Sequence, residues 1–207
     1  MYRNCIKRLF DIVLSLAGIV LLLWLLILSP VFLVLAVAIK LDSPGPIVFR
    51  QKRVGCGKRH FYIYKFRTMY TGAPMDTPTH LLTDPTRHIT RVGKFLRKSS
   101  LDELPQLFNI LAGHMSVIGP RPALWNQYDL IAERDRYGAN DVRPGLTGWA
   151  QINGRDELEI DVKARFDGEY VQNLSFGFDL KCFLGTIAAV LRSDGVVEGR
   201  SQLQNEE

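Results

Sequence analysis

Asp102 and Glu103 stand side by side in the run Ser100-Leu-Asp-Glu-Leu-Pro-Gln-Leu-Phe-Asn109. Arg91, Lys94, Arg97 and Lys98 come just before, and Arg121 follows between Pro120 and Pro122. Adjacent carboxylates can hold a hard divalent ion, and a carboxylate can attack phosphorus as a nucleophile. Guanidinium groups nearby suit a phosphate ester, which they grip through a planar fork. Prolines on both sides of Arg121 restrict its backbone. Taken alone, the acidic pair reads most simply as a capped helix start, because acids in a first turn complement the helix dipole. The basic residues around it move the reading towards chemistry.

A helix must position this pair. Ser100 and Asp102 are both good N-cap types. Pro105 favours Asp102, because the proline then falls at the third helical position, where no intrahelical N–H bond is lost. Leu104, Leu107, Phe108 and Leu111 would form the apolar face, with Gly113 as the stop. Upstream, Ile89 to Lys98 reads as a short basic amphipathic helix. Ile47 to Arg53 and His60 to Thr68 read as strands joined through Gly55-Cys-Gly57. In the second strand Tyr62, Tyr64 and Phe66 face one way; Phe61, Ile63, Lys65 and Arg67 face the other. The plain reading of Lys65 and Arg67 is a solvated strand end. Gly55-Cys-Gly-Lys58 lacks P-loop spacing.

The 207 residues suffice for one domain, and a net charge of +5 fits nucleic acid, anionic lipid or a phosphorylated substrate about equally. Cys5, Cys56 and Cys182 form no C-x-x-C, and the histidines have no metal-ligand spacing, so a zinc site or disulfide framework is not indicated. Ile12 to Ile39 carries no charge and exceeds the roughly 20 residues a spanning helix needs. Ser29-Pro30 interrupts it. Basic residues flank both ends, from Arg3 to Arg8 and from Lys40 to Arg59. The positive-inside rule would hold both flanks in the cytoplasm, which a bent, re-entrant helix satisfies and a straight span does not. Prolines also occur in spanning helices, so the residues alone leave both forms open. Asp42-Ser-Pro-Gly-Pro46 ends this helix. Thr71 to Pro85 is a polar loop long enough to face substrate. Leu124 to Arg136, Glu157 to Gln172 and Phe178 to Leu191 are helical in pattern; the last is either a core helix or one lying on a membrane surface. Arg143-Pro-Gly145 and Thr147-Gly148 form a glycine-bearing loop able to cradle phosphate, though such loops are more often plain turns. The tail after Ser193 is polar.

Four segments together resemble the monotopic phosphoglycosyl transferases, or bacterial sugar transferases. They are Tyr64-Lys-Phe-Arg-Thr-Met69, the run Ser100 to Asn109, Met115-Ser-Val-Ile-Gly-Pro-Arg-Pro122 and Val142-Arg-Pro-Gly-Leu-Thr-Gly-Trp-Ala-Gln-Ile-Asn-Gly-Arg155. Their order and spacing match, and the likeness covers nearly the whole chain. It implies an α+β, mainly helical fold with a re-entrant membrane helix (1–41), a cytoplasmic catalytic domain with a short β-hairpin and amphipathic interfacial helices (42–192), and a polar tail (193–207). The re-entrant bend would lie at Ser29 and Pro30. It implies that Asp102 attacks the β-phosphate of a UDP-sugar, releases UMP and carries the phosphosugar to polyprenyl phosphate. Glu103 would share Mg²⁺ with Asp102. Lys65, Arg97, Arg121 and Arg143 would bind phosphates, and Asp167 matches an acidic family position. The enzyme would sit on the cytoplasmic face of the bacterial inner membrane, in contact with lipid, and feed later glycosyltransferases. Three other readings remain: a membrane-anchored Mg-dependent phosphohydrolase, a basic membrane-anchored nucleic-acid-binding module, and a non-catalytic scaffold. No nucleic-acid motif supports the second.

Overall fold

The computed structural model describes residues 29–74, 77, 82, 84–154 and 158–192. The order is α1 (29–42), β1 (Val48–Val54), β2 (His60–Phe66), α2 (Pro85–His88), α3 (Arg91–Lys98), α4 (Gln106–Leu111), β3 (Ser116–Ile118), α5 (Tyr128–Asp135), β4 (Gly145–Thr147), α6 (Trp149–Ile152), α7 (Ile160–Gln172) and α8 (Phe176–Arg192). The α+β class is as expected, with short strands among more numerous helices. Most of the apolar run Ile12–Ile39 lies outside the described residues, and so does any bend before Ser29. Among the described residues, no helix is long and apolar enough to cross a membrane.

β1 and β2 form the expected hairpin, from Val48 opposite Phe66 to Val54 opposite His60. Alternating aromatic and aliphatic residues suit a pleated surface with one face buried. The second sheet was not anticipated. β3 and β4 pair in parallel, Ser116 opposite Gly145 and Ile118 opposite Thr147. Three-residue strands carry too little periodicity to be seen in sequence. This ladder joins two of the family-like segments. Glycine is required there by close approach: a Cβ on Gly119 would stand 2.6 Å from the Arg143 carbonyl oxygen, and one on Gly145 2.2 Å from the Gly119 nitrogen.

Small apolar clusters hold these layers together. Leu35 and Ile39 of α1 pack with Phe66 and Leu96, and Leu101 and Leu104 cover them. α1 is therefore part of the core beneath the acidic pair. Phe61, Ile63 and Met115 join β2 to β3, with Ile110 alongside. Val54, Ala123, Leu130 and Ala164 join β1 to α5 and α7. Ile118, Tyr170 and Cys182 join β3 to α7 and α8.

Candidate active site

The helix after the acidic pair starts later than its sequence suggests. Leu101–Glu103 is a 3-10 turn, and α4 begins at Gln106 with Pro105 as its N-cap residue. Ser100, before the turn, has a left-handed backbone (φ 57) although it carries a Cβ, a conformation that costs energy and persists where surroundings enforce it. The turn thus holds Asp102 and Glu103 as a fixed corner. The anticipated apolar face of α4 is also turned round. Gln106 and Asn109 are buried, whereas Phe108 is 59% and Leu111 82% exposed. Asn109 explains the rotation. Its Oδ1 accepts from Tyr64 N at 3.1 Å and its Nδ2 donates to Tyr62 O at 2.8 Å. A buried amide that clamps the backbone of β2 outweighs the exposure of two apolar side chains.

Around this corner the cations converge. Lys65 Nζ donates to Glu103 Oε1 at 2.6 Å and lies 3.6 Å from Asp102 Oδ2. Arg121 Nη2 donates to the same Glu103 oxygen at 2.7 Å. Arg97 lies close enough to act on the Asp102 charge, and its Nε donates to Thr68 Oγ1 at 2.9 Å. Thr68 is placed because Gly93 lets α3 lie against it: a Cβ there would be 2.0 Å from the Thr68 carbonyl oxygen. Thr90 caps α3, its hydroxyl accepting from Gly93 N. The loop carrying Arg121 is fixed from β1, where Arg53 Nη1 donates to Pro122 O at 2.9 Å.

The two carboxylates are driven apart electrostatically. Burial pushes the Asp102 carboxyl above its usual range, and the Glu103 charge adds to this; Lys65, Arg97 and Arg121 oppose without reversing it. For Glu103 burial acts in the same sense, but the charges and hydrogen bonds of Arg121 and Lys65 outweigh it and hold the carboxyl well below its usual range. Glu103 is thus the fixed anion. Asp102 is the more basic carboxylate, with less of its charge satisfied, which is the better condition for a nucleophile.

The donor set fits a magnesium ion. Mg²⁺ takes hard oxygen ligands and is often held by one or two carboxylates, with phosphate and water completing its octahedron. Asp102 and Glu103 supply that pair. Among the described residues no group of three or more His, Cys, Asp or Glu is placed to hold a metal, so substrate and solvent oxygens would be needed.

Other expected residues fall elsewhere. Arg143 is exposed on the loop before β4, its backbone against Gly119. Asp167 is 1% exposed inside the α5–α7 interface, where Arg134 Nε donates to its Oδ2 at 2.7 Å. It is a structural tie there. Arg67 is no solvated strand end: it is buried, with Nε, Nη1 and Nη2 donating to Pro46, Pro44 and Ser43 carbonyls at 2.7–2.8 Å. The signal was available, since Arg67 shares a strand face with the buried Phe61 and Ile63. Asp42 completes the anchorage of α1, accepting from Val92 N of α3 at 2.9 Å.

The chain matches the model of a family described as bacterial sugar transferase over residues 2–193. It is 41% identical over 192 residues to the uncharacterized sugar transferase EpsL of Bacillus subtilis (strain 168), covering 92% of this chain and 90% of that protein. It is 42% identical over 193 residues to the UDP-glucose:undecaprenyl-phosphate glucose-1-phosphate transferase of Escherichia coli (strain K12), covering 89% of this chain but 40% of that protein. To the undecaprenyl-phosphate galactose phosphotransferase of Salmonella typhimurium it is 36% identical over 204 residues, covering 92% of this chain and 41% of that protein. The chain therefore spans less than half the length of these two relatives.

Proposed function

Because the chain belongs to the bacterial sugar transferase family, we propose that it moves a sugar 1-phosphate from a UDP-sugar to a polyprenyl phosphate. The observation that carries this reading is the buried corner of Asp102 and Glu103, with Lys65 and Arg121 on one carboxylate and the other held above its usual pKa. An Asp102 oxygen attacks the β-phosphorus of the donor. The bond from that phosphorus to the bridging oxygen breaks, and UMP leaves with the electron pair. A phosphate oxygen of the polyprenyl phosphate then attacks the same phosphorus, the acyl–phosphate bond breaks and the carboxylate is restored. The acceptor is already anionic near neutral pH, so neither step needs a general base.

Lys65, Arg97 and Arg121 lower the repulsion between carboxylate and phosphate. Arg143, exposed on the loop before β4, is a further candidate for a phosphate contact. Asp102 and Glu103 would hold Mg²⁺, which when bound offsets charge on the phosphate oxygens. Lys65 and Arg121 share one Glu103 oxygen, so the nucleotide phosphates compete for cations that are already organised.

The lipid acceptor is supported by apolar surface beside the site. α1 exposes Leu33, Val34, Val37 and Leu41, and α4 exposes Phe108 and Leu111. The rings of Phe32 and Phe108 meet edge to face at 6.2 Å, so the two surfaces are continuous. α8 exposes Leu180, Phe183, Leu184 and Ile187. Surfaces of this kind suit a membrane interface. We place the enzyme on the cytoplasmic face of the bacterial inner membrane, with residues 12–39 as a re-entrant helix bent at Ser29-Pro30 and α8 at the interface.

The test is incubation of the full chain with a UDP-sugar and Mg²⁺ but no acceptor. One equivalent of UMP should be released and intact-protein mass spectrometry should show one phosphosugar on Asp102. Adding polyprenyl phosphate should discharge it, and initial rates should be ping-pong. Absence of an adduct together with ternary-complex kinetics would reduce the acidic pair to a metal site. UMP release sustained without acceptor would instead mark a phosphohydrolase.

A further inference from the structure

Lys65 and Arg121 are oriented by Glu103 itself. Arg97 has an anchor outside the acidic pair: its Nε donates to Thr68 Oγ1 at 2.9 Å, and its charge acts on the Asp102 carboxyl. Thr68 is built to hold it. The residue is 8% exposed. Arg67 before it is tied through Nε, Nη1 and Nη2 to the carbonyls of Pro46, Pro44 and Ser43, and Met69 after it pairs with Ile89. The Thr68 carbonyl accepts from Thr90 N at 3.0 Å, and Gly93 packs against it. The backbone under the hydroxyl is thus fixed from both chain directions and from α3, the helix that carries Arg97 in its last turn.

An arginine loses much rotamer freedom when it grips a ligand, and less when its planar group is already held. Nε is the guanidinium nitrogen nearest the chain, so tying it fixes the rotation of the plane, with Nη1 and Nη2 at its outer end. A packing role alone would be served by valine, which has the shape of threonine without the oxygen. We propose that Thr68 is a positioning residue for the first transfer step: its hydroxyl sets the plane of the Arg97 guanidinium beside Asp102, so that the guanidinium meets the donor phosphate already oriented as Asp102 attacks. This rests on the transferase reading. The contribution belongs to the transition state, where developing charge has to be met at a fixed place. Its loss therefore falls on rate more than on donor binding.

The test uses the full chain in detergent micelles or nanodiscs with Mg²⁺ and reads the rate of adduct formation on Asp102 by intact-protein mass spectrometry. UDP-glucose, UDP-galactose and UDP-N-acetylgalactosamine are the probes. Thr68→Val should slow the adduct by about tenfold or more at saturating donor. The half-saturating donor concentration should stay within about threefold of the parent value. Thr68→Ser keeps the hydroxyl and should hold the rate within about threefold of the parent. In an Arg97→Met background, Thr68→Val should cost nothing further. A parental rate in folded Thr68→Val overturns the proposal. So does Thr68→Ser as slow as Thr68→Val, which makes the methyl group the part that matters. A full additional loss in the Arg97→Met background overturns it too, because Thr68 then acts independently of Arg97. If Thr68→Val does not fold, Thr68→Ala is read against Thr68→Ser in its place; if neither folds, the hydroxyl is a structural contact and the proposal falls. An adduct in the unmodified chain with any of these overturning results leaves the transferase reading standing and removes this one alone; no adduct with any donor removes both.

Discussion

Glu103 Oε1 takes both Lys65 and Arg121, and the consequence falls on Asp102. The cations are spent mainly on one carboxylate, so the other stays buried with less compensation and its pKa is raised. The sign for stability follows. A carboxyl raised in the folded state costs stability wherever it is ionised, above that raised value, and the cost fades as falling pH protonates it. Glu103 is lowered, so its contribution is present above the usual carboxylate range and is lost only as pH falls towards its folded value. Asp102→Asn should therefore abolish turnover and the adduct while raising the melting temperature near neutral pH. That gain should shrink as the pH falls through the Asp102 pKa; a lower melting temperature at pH 7 would contradict the electrostatic account. Arg121→Lys keeps the charge but loses the planar fork and should cost at least about tenfold in kcat/KM. Near-normal turnover in that folded variant would make Arg121 a mere partner of Glu103.

The elements show why some of this could be read from sequence and some could not. The hairpin, the basic α3 and the longer helices have periodic patterns, and their positions agree with expectation within a few residues. The acidic corner was recognisable as chemistry, yet its local structure was not. The turn is a 3-10 turn entered through a left-handed Ser100, and the helix after it buries Asn109 rather than Phe108 because the amide bonds the backbone of β2, which no local pattern encodes. Arg67 is the same lesson on a strand. Its bonds go to carbonyls at the end of α1 and the turn that follows, more than twenty residues away. One strand end thus serves two purposes: Lys65 meets the acidic pair and Arg67 seats α1. Asp167 shows the converse, a motif carboxylate absorbed by the fold. Removing one partner of its buried pair with Arg134 should cost about 3–5 kcal/mol. Asp167→Ala should thus lower the unfolding midpoint substantially, while the KM for donor in the remaining folded enzyme stays near the parent value. A raised KM with an unchanged midpoint would return Asp167 to the substrate site.

At the scale of the molecule, the acidic corner and the apolar surface of α1 and α4 share one cluster, since Leu101 and Leu104 cover Leu35, Ile39, Phe66 and Leu96. On the proposed reaction a water-soluble donor and a lipid acceptor would reach the same phosphorus, and a site built against the exposed apolar face of α1 would shorten the path between them. The proposed re-entrant form puts both flanks of the apolar run on the same side of the bilayer as the acidic corner. Arg3, Lys7 and Arg8 precede the apolar run, and Lys40, Arg50, Lys52 and Arg53 follow it. Placing either cluster outside opposes the positive-inside preference. A re-entrant helix keeps both inside, and Pro30 favours the bend by removing a backbone donor. The native cysteines supply the test. Cys56 is exposed on the turn between β1 and β2 and Cys182 is buried, while Cys5 lies just before the apolar run. In inverted vesicles, which present the cytoplasmic face, a membrane-impermeant maleimide should modify Cys5 and Cys56. In right-side-out vesicles it should modify neither until detergent is added. Modification of Cys5 and Cys56 from opposite faces would make the run a straight span. Pro30→Leu restores the missing N–H and should shift part of the population to that pattern.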